Sequence, residues 1–183
     1  DVDVTLTFRL LDPEGRERIR LTFPEYVNEA KEDTMARAIH FSIEGAGMAY
    51  RECVGKRTLD LAGYDRLLGR LTDYDFDVAA RIAFGRLLYP EGLSEQAEGG
   101  YETFLRDNDE KTLRFLIRED EKHSCMEEIR LMTGRSLIGE EGLKSALEEA
   151  SELGRSEVCS LLMEYRAQSG SGSGAGETLS LDW

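Results

Sequence analysis

Residues 1–23 read DVDVTLTFRLLDPEGRERIRLTF, and their period decides the fold class. Val2, Val4, Leu6, Phe8 and Leu10 alternate with Asp3, Thr5, Thr7 and Arg9. The run Asp12-Pro13-Glu14-Gly15 follows, with a proline to preset a turn and a glycine to accept positive φ. Ile19, Leu21 and Phe23 then alternate with Arg18, Arg20 and Thr22. A period of two on both sides of a turn predicts a β-hairpin with one apolar face. An isolated hairpin is marginal in water, so a helix or further strands are expected to cover that face.

Beyond the hairpin the pattern turns mostly helical, which makes the expected fold α+β: an N-terminal hairpin-based sheet with helices, followed by a helical stack. Residues 25–37 favour helix, and residues 38–43 (Ala-Ile-His-Phe-Ser-Ile) alternate cleanly before Gly45 and Gly47. The expectation is a helix and then a third strand paired with the hairpin. Leu59, Leu61, Tyr64, Leu67, Leu68 and Leu71 form a helical stripe from Thr58 onward. Thr72 or Asp73 is expected to cap a following helix that carries Val78, Ile82, Ala83, Leu87 and Leu88 and stops at Pro90. Residues 91–100 hold three glycines and three glutamates and mark the expected boundary between an N-terminal region (1–95) and a helical region (101–168).

Within the helical region a pattern recurs at an offset of 46 residues. Asn108 and Gly154 each precede polar residues and then three consecutive apolar ones, Phe115-Leu116-Ile117 and Leu161-Leu162-Met163. Both Asn and Gly tolerate the left-handed backbone of a helix end. Leu143, Ala146, Leu147, Ala150 and Leu153 supply a first helix before Gly154, with alanines that permit close approach. The stretch ALEEASELGRSEVCSLLMEY resembles the helix-turn-helix of an ankyrin repeat over residues 143–166, and residues 108–119 do so in part. No Thr-Pro-Leu-His signature begins a unit, and the offset exceeds the usual period of about 33 residues. The resemblance implies that the helical pair stacks on the helices around Phe115 and Ile129 and that the stack serves as a protein-binding surface.

Bulk properties narrow the function classes. The 183 residues carry a net charge of −14, with −6 over residues 1–100, −6 over 101–168 and −2 over the rest. Bases are interleaved throughout, so the acidity belongs to the body of the chain. Such a surface repels phosphate backbones, and direct nucleic-acid binding is not expected. No apolar run approaches the eighteen or so residues of a membrane helix. Three scattered cysteines, Cys53, Cys125 and Cys159, lack CxxC spacing and suit reduced thiols, hence a cytoplasmic setting.

Catalytic and cofactor signatures are thin. In Asp73-Tyr74-Asp75-Phe76-Asp77 a calcium loop would need Gly at Val78 and Glu at Phe84. Gly45-Ala46-Gly47-Met48-Ala49-Tyr50 has Tyr50 where a dinucleotide turn needs glycine, and Gly55-Lys56-Arg57 has Arg57 where a phosphate loop needs a hydroxyl. His123 and Cys125 would point about 200° apart on a helix. His40 meeting a distant thiol would leave a thiol hydrolase as one alternative function. A second alternative is an acidic DNA-mimic inhibitor of mobile-element origin, because residues 59–88 (LDLAGYDRLLGRLTDYDFDVAARIAFGRLL) resemble helices of antirestriction proteins. The preferred expectation is a non-enzymatic protein-interaction module with no cofactor and no metal.

Residues 169–176, SGSGSGAG, read as a flexible linker leading to Glu177-Thr178-Leu179-Ser180-Leu181-Asp182-Trp183. Leu179, Leu181 and Trp183 alternate and are the candidate partner-binding residues, able to add as a strand to a sheet edge, with the hairpin's open edge as one dock. An unstructured end or an expression scar is the other reading.

Overall fold

The computed structural model describes residues 2–3, 5–33, 38–71, 75–119 and 124–171, with side chains described outside 2–3, 28–33, 38–44 and 170–171. It divides into two compact units, Asp1–Phe104 and Leu105–Trp183. The fold is α+β. The first unit holds strands β1 (Val2–Asp3), β2 (Leu6–Leu11), β3 (Glu17–Phe23), β4 (Tyr26–Asp33) and β5 (Ala38–Glu44). Helices α1 (Gly47–Glu52), α2 (Leu61–Asp65) and α3 (Phe76–Leu88) follow. Helix α4 (Glu95–Asp107) starts inside the glycine-rich stretch that the sequence marks as a boundary, and the division between units falls later, after Phe104.

The hairpin forms from Leu6 onward, but Val2, read as part of its first strand, lies in β1 and pairs with β4 instead, and Val4 lies outside the described residues. β2 and β3 pair antiparallel with Leu6 opposite Phe23, Phe8 opposite Leu21 and Leu10 opposite Ile19, and a register shift follows at Leu11. Its turn closes through Asp12, whose Oδ1 accepts from the Arg16 amide at 2.9 Å, while Gly15 takes φ +81°. The apolar face is covered unevenly. Ile19, Leu21 and Phe23 are buried, because α3 packs on β3 so closely that a Cβ on Gly85 would stand 2.6 Å from the Arg20 carbonyl oxygen. The β2 half of the same face stays exposed.

Two expectations for residues 25–71 are corrected. Residues 26–33 are strand rather than helix: β4 pairs antiparallel with β5 from Val27–Glu44 to Asp33–Ala38. β5 therefore joins β4 and not the hairpin, and β1 adds to β4 through Val2 opposite Val27, giving the order β1-β4-β5. The alternating run of β5 requires a partner edge, and ladder pairing with a neighbouring segment overrides the helix preference of Glu, Ala and Lys. The stripe from Thr58 to Leu71 does not form one helix either. It breaks into α2, capped where Asp60 Oδ1 accepts from the Gly63 amide at 2.8 Å, and a 3₁₀ turn at Leu68–Arg70. Leu59 is drawn instead into a β-bridge with Val54. The expected caps Thr72 and Asp73 lie outside the described residues.

The second unit contains α5 (Asp109–Glu119), α6 (Met126–Gly134), α7 (Glu140–Glu152) and α8 (Ser156–Ser171). α5 packs on α6 and α7, and α8 packs on α6 and α7. Ala146 and Ala150 of α7 are buried, so small side chains do allow close packing there. Between α7 and α8 the chain turns on Gly154 at φ +68°. The Arg155 amide donates to Ala150 O at 2.8 Å and the Gly154 amide to Ser151 O at 3.2 Å, the paired bonds of a Schellman stop. Asn108 does not take the left-handed backbone that its comparison with Gly154 implied: of the described non-glycine residues only Ser136 has positive φ. The N-terminus of α7 is instead capped from another helix, since the Gly139 amide donates to Asp109 Oδ2 at 2.6 Å.

Candidate interaction surface

Among the elements of the first unit whose side chains are described, β2 is the most exposed. All six of its residues are exposed, and Leu6, Phe8, Leu10 and Leu11 are among the exposed large hydrophobics, Phe8 at 51%. Scattered apolar surface is ordinary, but Leu6, Phe8 and Leu10 lie on one face of the strand, opposite Phe23, Leu21 and Ile19. The backbone edge is open as well, because among the described strands β2 pairs with β3 alone.

Tyr64 shows which backbone groups face outward. Its hydroxyl donates to Thr22 O at 2.6 Å and accepts from the Thr22 amide at 2.9 Å, so both Thr22 groups point away from β2. In an antiparallel ladder hydrogen-bonded and non-hydrogen-bonded pairs alternate. Thr7–Thr22 is therefore a non-bonded pair, and Phe8 turns its own amide and carbonyl towards β3. The amides and carbonyls of Thr7 and Arg9 face the open edge. Tyr64 thus seals the outer edge of β3 at Thr22, and the ribbon's accessible edge is β2.

A second feature is a cleft of about 370 Å³ lined in part by Asp65, Arg66, Ser94, Gln96, Gly100 and Tyr101. Its floor is a buried cluster from three helices. Arg86 of α3 donates through Nε to Asp65 Oδ1 at 2.7 Å and through Nη2 to Oδ2 at 3.1 Å, and the Tyr101 hydroxyl of α4 donates to Oδ1 at 2.8 Å. Arg86 Nη1 reaches the carbonyls of Tyr89 and Glu91. Burial, and next the Asp65 carboxylate, push the Tyr101 phenol far above its ordinary range, so it remains a donor. Every oxygen of Asp65 is engaged, and the arrangement pins helices rather than presenting an acid or base.

Nearby, Tyr50 is fully buried, edge-on to Tyr64 at 4.9 Å, and its hydroxyl has no hydrogen-bond partner among the described residues. Removing an orphaned buried hydroxyl relieves its desolvation cost. Tyr50→Phe is expected to keep or raise the stability of the first unit by up to about 1 kcal/mol, read as the urea midpoint.

The residues singled out from sequence fall as follows. Leu179, Leu181 and Trp183 lie outside the described residues, as do His123 and the side chain of His40, so no Cys/His geometry is defined. Cys53 and Cys159 are half-buried and Cys125 is buried, all as free thiols. Burial, and then Asp60, raise the Cys53 thiol above its usual range, and its Sγ donates to Ala49 O at 3.6 Å, which disfavours the thiolate. Among the described residues no group of three or more His, Cys, Asp or Glu side chains could hold a metal ion, and no helix is long and apolar enough to cross a membrane. The sequence names the hairpin's open edge as a dock but not the apolar face of β2, because Leu6, Phe8 and Leu10 carry the same alternating signature as the buried Ile19, Leu21 and Phe23. Only the position of α3 separates the two halves. No known family, curated protein or solved structure matches the chain.

Proposed function

We propose that this chain is a protein-interaction module that receives a partner polypeptide on the open edge and apolar face of β2. The single supporting observation is a strand exposed at every residue, carrying four large hydrophobics beside an unpaired backbone edge. Strand addition takes its affinity from the main chain and its specificity from alternate side chains, and β2 offers both. A net charge of −14 favours a polypeptide over a phosphate backbone as the ligand. Free thiols at all three cysteines fit a cytoplasmic setting.

A second reading keeps the partner on the helical unit, as the ankyrin resemblance of residues 143–166 implies. It is favoured by a groove of about 140 Å³ lined by Thr133, Gly134, Leu161, Glu164, Tyr165 and Gln168, with Met163 exposed on the same helix. One experiment separates the two. Affinity capture with the full chain is expected to lose its partner with Phe8→Glu and to keep it with Met163→Glu. Both positions are exposed, and both variants should fold. Loss with Met163→Glu alone moves the binding face to the helical unit, and a partner retained by both variants overturns the β2 placement and the exposed Met163 face of α8 alike.

A further inference from the structure

We infer that two copies of this chain pair through β2, antiparallel about Phe8, joining their ribbons into one four-stranded sheet; the inference rests on reading β2 as an interaction strand. The sequence of the strand is self-complementary about that residue. Leu6-Thr7-Phe8-Arg9-Leu10 is symmetric in character, so a two-fold axis at Phe8 sets Leu6 of each copy against Leu10 of the other. Phe8 then faces Phe8 as a non-hydrogen-bonded pair, the closer kind, because its own backbone groups already serve β3. The outward amides and carbonyls of Thr7 and Arg9 bond across the axis to Arg9 and Thr7 of the second copy.

Charge leaves the hairpin as the place where a second copy can approach. Residues 5–23 hold four basic and three acidic side chains, a net of +1 in a chain of −14. Two strongly acidic molecules repel over most of their surface, and the hairpin is where they can approach. Like charges directly opposite one another destabilise a ladder, and here Arg9 stands opposite Thr7. The diagonal approach of the two Arg9 side chains is moderated by Glu17, 3.7 Å from Arg9 in each copy. The apolar face of β2 also continues the buried face of β3 in the same sheet, so pairing extends an existing core surface.

Six residues a side make a small interface, so sedimentation velocity from about 1 to about 200 μM is expected to show a reversible dimer half-dissociated on the order of 10 μM. Thr7→Pro deletes an outward amide while leaving the β2–β3 ladder intact, and should weaken the dimer at least about tenfold. Phe8→Glu, which places two carboxylates at the axis, should do the same. Leu6→Lys alone weakens the dimer, and Leu6→Lys with Leu10→Asp in one chain restores it, because the opposite charges meet only in this register. That rescue decides the matter even where another variant folds poorly. A chain monomeric at every concentration overturns self-pairing, as does a dimer indifferent to all β2 variants. Self-association that appears only with Leu181→Asp also overturns it, by showing that the tail occupies β2. If the chain is monomeric yet Phe8→Glu still abolishes partner capture, the interaction reading stands without self-pairing; if neither effect is seen, both fall.

Discussion

Asp65→Ala is expected to lower the stability of the first unit by about 3–5 kcal/mol, the usual cost of removing one partner from a buried ion pair. The size follows from what is left behind. Arg86 is fully buried, and the Asp65 side chain is 3% exposed. Without the carboxylate, Arg86 keeps only its two longer bonds to the carbonyls of Tyr89 and Glu91, at 3.4 and 3.2 Å. Its Nε and Nη2 donors, and the Tyr101 hydroxyl, lose their acceptor at the nearly closed floor of the cleft. A guanidinium cannot shed its proton to escape the penalty. Because α2, α3 and α4 each contribute one member, the loss should appear as raised hydrogen exchange in all three helices rather than at one end. The sharper check is the combined variant Asp65→Leu with Arg86→Met and Tyr101→Phe, which removes the buried charges and hydroxyl together. It should recover most of the loss, since apolar replacement of a whole buried pair is often neutral or stabilising. A cost below about 1 kcal/mol for Asp65→Ala would show that the cluster is wetter than its packing implies.

How far the sequence discloses this molecule varies by element. The hairpin from Leu6 to Phe23 was legible because alternation and a Pro/Gly turn are local signals, whereas the departure of Val2 to pair with β4 was not. The helices of the second unit were legible for the same reason, and Gly154 announced its own left-handed stop. Residues 26–33 were not legible. Their composition suits a helix, and only the adjacent β5 edge makes them strand. The break between α2 and the turn at Leu68–Arg70 is likewise tertiary in origin, because Leu59 and Asp60 are committed to a bridge and a cap. The open edge of the hairpin was legible as a dock, but the apolar half of the candidate site was hidden for a related reason. Sequence showed an apolar face in need of cover, but not that α3 covers one strand of it. The Asp65–Arg86–Tyr101 cluster joins residues up to 36 positions apart, beyond any periodic signal.

The strongest contrast expected in the second unit lies between two residues that the offset of 46 makes equivalent. Phe115 and Leu161 are both half-buried, and Leu116 and Leu162 are both buried, so burial matches at two of the three apolar positions. At the third it fails, with Ile117 fully buried and Met163 56% exposed. The cause is position in the unit: the buried face of α5 is wide, reaching Thr112, Leu113, Leu116 and Ile117, whereas among the described side chains of α8 only Val158 and Leu162 are buried. Ile117→Ala is expected to cost about 2–5 kcal/mol, through lost burial and the cavity left behind. Met163→Ala should stay within about 0.5 kcal/mol, as exposed substitutions do. Urea denaturation at an unchanged slope measures both. A cost above about 1 kcal/mol at Met163 would mean that the outer face of α8 is covered in solution, as one more layer of a helical stack would cover it.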